Sequence, residues 1–485
     1  MKVVVVGSPA RKHLSAASSV EEVSRATGNN IGNLLFQEAV TALLVEPDEI
    51  DWDAFVGSPG VARGADLLVL PAANHLGDSF SMDGMREALE ELGAPVLVVG
   101  LGGQARTFDP SERITSDSCQ RWLDTVQRLR PDSAVSNILT RGRWSHAWLA
   151  SLDVESVAGM CPSIFWGEGS AGMLDVERKT NRRPRSVAVL AGDTGWHWLR
   201  DVERALVDVV LSNPSECRYI VQADPALLDI AQSSRSQSSV DAFRSYALPL
   251  VPEEILRERL LPRFVYFTDG KAWARALRVH DLALGMRFHG VMASRCSGTP
   301  GLVLAHDARM WELALETGTP VVSWTQVEHV GLDGAMALNA DAVAKHARIL
   351  EMATAKYATF WTANGLPLDA FSGGGHLDTD SLKLDERCSL TLPPGIEGPG
   401  NCMLDVQIEE SHEGGLFCKA HCPIHLDAAP VLEYVPRGGV GELVQTVRAA
   451  TTVGAGFAAY IQSSAMMDIF TIRDVYGRKV VEVRA

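Results

Sequence analysis

Positive charge is scarce in this chain: 44 lysines and arginines stand against 60 aspartates and glutamates, a net charge of -16 over 485 residues. A chain of that sign repels a phosphate backbone unless its basic residues gather on one face, so nucleic acid is not an expected partner. Cysteine is also sparse, eight in all, and without a secretory signal these read as reduced thiols rather than a disulfide framework. The valine run Val3 to Val6 is too short for a signal-peptide core and stops at Gly7-Ser8-Pro9. Nowhere are there eighteen consecutive apolar residues, which argues against membrane insertion. The expected compartment is the cytoplasm. Also missing are Gly-x-Ser-x-Gly, Gly-x-x-x-x-Gly-Lys-Ser and His-Glu-x-x-His, so the serine hydrolase, P-loop and zincin chemistries drop out.

What is present is apolar material in quantity. Hydrophobic residues make up 46% against 21% charged, enough for large cores, and the length suggests about three domains. In residues 1–170, the β-branched runs Val3 to Val6, Asp66 to Leu70 and Val96 to Gly100 alternate with helical spacing over Asn33 to Leu44, Met82 to Leu92 and Gln120 to Leu129. That alternation predicts βα units on a parallel sheet. The polar stretch Gly167 to Arg185 is the expected linker. A second βα series in residues 186–370 runs through Ser186 to Ala191, a helix at Trp198 to Leu211, Arg218 to Gln222, Phe264 to Phe267, a helix at Trp273 to Val279, Leu282 to Gly285 and Leu302 to Ala305. The expected architecture is two facing doubly wound domains with a ligand cleft where strand C-termini and helix N-termini converge.

Residues 376–485 change period. Apolar residues alternate at Cys388, Leu390 and Leu392, at Cys402, Leu404, Val406 and Ile408, and from Leu416 through Cys418, Ala420, Cys422 and Ile424 to Leu426. Ile469 to Asp474 and Lys479 to Val483 read as a hairpin, and the segment as an all-β, sandwich-like domain. Cys418, His421, Cys422 and His425 have metal-like spacing, yet the cysteines and histidines fall on opposite strand phases, so buried thiols are the expectation and no metal site is assigned.

The sharpest chemical signal is Gly285-Met-Arg287-Phe-His289-Gly290, where an apolar strand ends and an always-charged fork and a titratable imidazole stand two residues apart. Its bland counterpart is an Arg paired to a core carboxylate and a His capping a helix. Gly28-Asn-Asn30-Ile-Gly32-Asn33 precedes a helical pattern and fits either an anion-binding loop or a plain N-cap by Asn30 or Asn33. Gly100-Leu-Gly102-Gly103-Gln104-Ala105 matches a dinucleotide fingerprint, but Asp109-Pro110 follows too soon for the helix that such a fingerprint opens, so a ligand-facing turn is expected instead.

These residues, with Gly298-Thr-Pro300, Asp307-Ala-Arg309, Trp273, Asp281, Gln222-Ala-Asp224, Pro71-Ala-Ala-Asn74, Arg141-Gly-Arg143 and Cys161-Pro-Ser163, follow an order that resembles the polysaccharide pyruvyl transferase family over residues 1 to about 325. The family more often has Asp where this chain has Asn33. The resemblance implies a GT-B-like pair of domains and transfer of a pyruvyl group from phosphoenolpyruvate to two hydroxyls of a sugar or glycan acceptor, with release of phosphate. It assigns Arg287, Arg141 and His289 to catalysis, His289 as general acid or base. Asn30, Gly32, Asn33, Asn74, Gly102, Gln104 and Arg309 would bind substrate, Arg309 against the departing phosphate. His75 lies beside Asn74, and Arg143 matches the pattern less well. No cofactor is required, and a homo-oligomer stays open. Two alternatives use the same features: a GT-B nucleotide-sugar glycosyltransferase, and a non-catalytic glycan-binding protein resting on the β-rich segment.

Overall fold

Six short strands, all but the acidic β2 mainly apolar, order the first sheet: β1 (Val3–Gly7), β2 (Asp48–Asp51), β3 (Leu67–Pro71), β4 (Val96–Leu101), β5 (Ile138–Thr140) and β6 (Val157–Ala158). The computed structural model describes residues 1–366 except 8–13, 15–17, 132–135, 167–169, 213–215, 233–235 and 249–251; beyond 366 it describes only the backbone of eight strands between Asp405 and Arg484. All pairings in the first sheet are parallel, in the order β2-β1-β3-β4-β5-β6. β3 and β4 are buried at every residue, because helices cover both faces. The expected helices form over Asn33–Ala42, Asp83–Leu92 and Asp117–Arg128.

The second sheet is built from β7 (Val187–Leu190), β8 (Arg218–Ile220), β9 (Phe264–Val265), β10 (Leu282–Gly285), β11 (Gly301–Ala305) and β12 (Val321–Ser323). Its order, β12-β11-β10-β7-β8-β9, reverses between β7 and β10. That point is where open parallel sheets bind ligands beyond their strand C-termini. In the first sheet the reversal lies between β1 and β3.

The expected linker is a correction. Eleven of its residues form the helix Ser170–Thr180, whose Val176 is fully buried and whose Lys179 ammonium donates to the carbonyls of Arg278 and His280 and to the hydroxyl of Thr299. Among its described residues, buried Val176 and the well-partnered Lys179 help to seat a polar helix that composition alone reads as a spacer.

The long helix Val327–Ala363, interrupted at Gly331 (φ 59°), returns to the first sheet. Tyr357, Phe360 and Trp361 pack with Val5, Val40, Leu67, Val69, Leu97, Val99 and Leu139, and the Tyr357 hydroxyl donates to the Met160 carbonyl at 2.8 Å. Fully burying such side chains is worth about 1.5–3 kcal/mol each, so the last turns of this helix belong energetically to the first domain. Two doubly wound domains facing each other, with the chain crossing back at the end, make a GT-B-like arrangement.

In the C-terminal region two four-stranded antiparallel sheets are described, Asp405–Glu410, Leu416–His421, Gly456–Ile461 and Ala450–Thr451 in one, and Gln445–Arg448, Val431–Pro436, Met467–Arg473 and Lys479–Arg484 in the other. The hairpin expected at 469–483 is the antiparallel pair Met467–Arg473 and Lys479–Arg484. The run at 388–392, the side chains of the Cys418 cluster and the face-to-face packing of a sandwich lie outside the described residues.

Candidate active site

At the reversal point of the second sheet, Gly285 ends β10 at φ 158°, where a Cβ would collide with the carbonyl of Leu190 on β7. The chain then turns so that Arg287 takes the N-cap position of the helix Phe288–Cys296. One Nη2 of Arg287 donates to the Gly192 carbonyl and to Asp193, both at 3.2 Å, and its guanidinium lies 4.3 Å from the centre of the Trp196 ring. Both partners come from the loop after β7. Its Nε is buried with no hydrogen-bond partner among the described residues. The bland reading of Arg287 is therefore half right: a carboxylate pairs it, yet an edge of the fork stays unused.

Behind that loop lies a wholly buried carboxyl that sequence reasoning did not single out. Glu203 accepts from the Gly192 backbone at 3.1 Å and from the Tyr219 hydroxyl, and burial pushes it up to about 7. It fixes the backbone on which Arg287 rests.

The first domain contributes Arg141, just past β5. Only 4% exposed, Arg141 has Nε and Nη2 buried with no hydrogen-bond partner among the described residues. Burial lowers its pKa to about 10, with Arg309 adding repulsion and Cys161, Glu312 and Asp307 opposing. Its space exists because residue 102 is glycine, since a Cβ there would overlap the guanidinium. Gly102 thus acts by making room, while its backbone N–H is taken by the Ala73 carbonyl at 2.8 Å.

His289 sits in the first turn of Phe288–Cys296, its ring 5.6 Å from that of Phe36 and its Nε2 3.6 Å from the Cys161 sulfur. Burial, then the charges of Arg141 and Arg309, pushes its pKa down to about 3, so the imidazole is neutral at physiological pH. Gly32 of the first domain closes over it: a Cβ at residue 32 would stand 2.9 Å from that of His289. Arg309, 15% exposed at the side chain, pairs with Asp307 at 3.3 Å and also leaves Nε unpartnered among the described residues. Arg309 lies within electrostatic reach of Arg141, Arg287 and His289, and Arg141 within reach of His289, so cations from both domains are gathered in one region.

Other expected ligands are placed differently. Asn30 turns its side-chain oxygen onto the Gly32 backbone at 3.0 Å, and Asn33 donates to the Thr27 carbonyl at 2.9 Å; neither caps the helix Asn33–Ala42, whose N-cap is Gly32. Both amides serve the loop's own shape, with Gly28 and Asn29 at positive φ. Asn74 donates to Gln104, which is exposed at the rim. His75 accepts from the Ala73 backbone at 3.0 Å, stacks on Trp52 and is pushed to about 4 by burial, the behaviour of a neutral structural imidazole. Arg143 is half exposed and paired with Glu316 at 2.7 Å. Asp281 sits at the opposite end of β10, held by Arg182 and the backbones of Arg185 and Ser186, and Trp273 is core. After Gly100–Gly103 the next α-helix begins only at Asp117, as the turn reading requires.

One further residue belongs to this site. Gln222 is 1% exposed, yet neither side-chain amide atom has a partner among the described residues. It lies between Gly32 and Gly290, close to where a Cβ would stand at each, while its carbonyl accepts from Ile31 at 2.7 Å. A buried amide left unsatisfied costs about 1–3 kcal/mol, so it is available to a ligand. The Gln-x-Asp strand end flagged it in the sequence; its orphaned amide is visible only in three dimensions. The depression lined by Pro59, Arg63, Glu91 and Pro95 lies at the other ends of the strands and is not part of this site.

No metal-binding cluster of three or more His, Cys, Asp or Glu and no helix long and apolar enough to cross a membrane occurs among the described residues. No family model and no curated protein matches the sequence. Among solved structures, the chain is similar to one from Listeria monocytogenes assigned as a UDP-N-acetylglucosamine 2-epimerase, at 11% identity over 77% of this chain and 93% of that one, TM-score 0.37. It is similar also to S. aureus MnaA solved with UDP, at 9% identity over 76% of this chain and 99% of that one, TM-score 0.39. Likeness at this level carries no statement about substrate.

Proposed function

We propose that the chain is a GT-B-like, sugar-modifying transferase that moves a pyruvyl group from phosphoenolpyruvate to two hydroxyls of a sugar, forming a cyclic ketal. The observation that carries this reading is Arg141: a buried guanidinium with two unpartnered nitrogens, set among Arg287, Arg309 and His289, is costly unless an anion completes it. Phosphoenolpyruvate brings a carboxylate and a phosphate within a few bonds, which suits cations supplied by both domains.

A sugar oxygen bonds to the enol carbon while the double-bond electrons take a proton at the methylene carbon, giving the methyl group. A second hydroxyl then bonds to the same carbon as the carbon–oxygen bond to phosphate breaks. One hydroxyl proton ends on the methyl and the other on the phosphate, so no electrons are gained or lost and no redox cofactor is called for. A neutral His289 accepts the hydroxyl proton, and once an anion lies beside it the resulting imidazolium is stabilised for return of that proton. Phosphate release from phosphoenolpyruvate with a panel of sugar acceptors tests the reading. Release that requires a sugar supports it; thermal protection by UDP and not by phosphoenolpyruvate favours a nucleotide-sugar glycosyltransferase instead.

A further inference from the structure

Beyond the cations, an aromatic row leads out of the site. Trp196 lies under Arg287, its ring 4.7 Å from that of His306; His306 is 5.5 Å from Trp198, and Trp198 is 6.5 Å from Trp324. Trp196 and Trp324 are half-buried, whereas Trp198 is 46% exposed. Trp198 is held in the short turn His197–Leu199, ahead of the helix Arg200–Ser212. From the first domain, Arg106 places its guanidinium 5.9 Å from the centre of the Trp198 ring. Nearby, the Ala308 N–H donates to the Ala105 carbonyl across the cleft at 3.2 Å. The row therefore begins at the anion site and reaches water at Trp198, over whose ring lies the Arg106 fork of N–H donors.

We infer that Trp198 is the stacking platform for the acceptor pyranose, with Arg106 donating to its hydroxyls, an assignment that rests on the pyruvyl-transfer reading. A pyranose has a face of C–H bonds and a rim of hydroxyls, so it fits an aromatic face bordered by hydrogen-bond donors better than it fits a cation cluster. The position suits the chemistry as well: Trp198 is tied through His306 and Trp196 to the fork that would hold the donor.

The test uses the full chain and four probes, methyl galactoside, methyl mannoside, methyl glucoside and methyl N-acetylglucosaminide, titrated by calorimetry. At least one should bind, Trp198→Ala should weaken it about five- to ten-fold, and Trp198→Phe should change it less than about three-fold. As the ring is half in water, neither change should unfold the protein, and equal melting temperatures check this. No binding of any probe, or an unchanged Kd in Trp198→Ala, overturns the assignment; so does UDP binding that depends on Trp198 while the pyranosides stay silent, since the ring then stacks a base. Phosphate release is measured separately. Its absence alongside Trp198-dependent pyranoside binding counts against pyruvyl transfer and leaves the platform standing.

Discussion

Gly102 and Arg141 occupy one volume between them: the guanidinium of Arg141 fills the space that any side chain at residue 102 would need. The backbone of Gly102 is outside the left-handed region, so alanine would be tolerated there but for this overlap. Gly102→Ala should displace the guanidinium, cost about 1–3 kcal/mol of stability and abolish protection by phosphoenolpyruvate. Thermal shift with and without the ligand checks it; undiminished protection removes Arg141 from the anion site.

Arg287→Lys keeps the charge and loses both the fork and the stacking on Trp196. Use of phosphoenolpyruvate should weaken by about 1.5–3 kcal/mol in kcat/KM. Unchanged kinetics in a folded Arg287→Lys protein would show that the contact is not to substrate.

His289→Gln retains a hydrogen-bonding side chain without a base. Turnover should fall about 10²- to 10⁴-fold with substrate affinity little altered. Because the imidazole is already neutral down to about pH 3 in the free protein, the acid limb of kcat/KM should not show a pKa near 6.5 that disappears in this variant. Finding one would mean that His289 is charged at rest.

Stability should peak at about pH 6–7. Six imidazoles are pushed down chiefly by burial, His289 to about 3, His75, His280, His306 and His346 to about 4, and His146 in the same direction. Unfolded, each takes a proton near 6.5, so below that pH the unfolded chain binds more protons and stability falls as pH falls. Glu203 and Glu312 are raised by burial to about 7. From about 4.5 to 7 the folded chain keeps protons that the unfolded chain has lost, and their contribution falls as pH rises. Six groups outweigh two on the acid side, and between about pH 6.5 and 7 the two carboxyls alone act among these groups. Glu312 accepts from the backbone and hydroxyl of Ser145 across the domains, each at 2.7 Å. Melting temperatures against pH check this, and Glu312→Gln should flatten the alkaline side; a maximum that stays below pH 5 would contradict it.

Tyr357→Ala should cost about 3–5 kcal/mol, although residue 357 follows every strand of the first sheet, because its ring lies in that sheet's core. A chain ending at residue 374 retains this helix and should keep phosphoenolpyruvate protection, whereas one ending at residue 334 should not fold. Survival of the shorter chain would show that the returning helix is dispensable.

Local pattern was enough for the βα series and the strand end carrying Arg287 and His289, because hydrophobic periodicity and a glycine at a strand terminus are properties of neighbouring residues. It was also enough to reject a dinucleotide loop at Gly100. The helix in the stretch 167–185 was missed because composition is blind to the burial of Val176 that seats Ser170–Thr180. Tertiary structure alone decided that Arg141 lies within electrostatic reach of His289 with two nitrogens unpartnered among the described residues; that Asn33 and Asn74 are spent on Thr27 and Gln104; that the Gln222 amide is orphaned among the described residues; and that Glu203 and Trp198 matter at all. Each of these turns on whether a polar group has a partner or a ring has a cover, and that depends on which distant segments folding brings within about 3–6 Å, a quantity no local pattern carries.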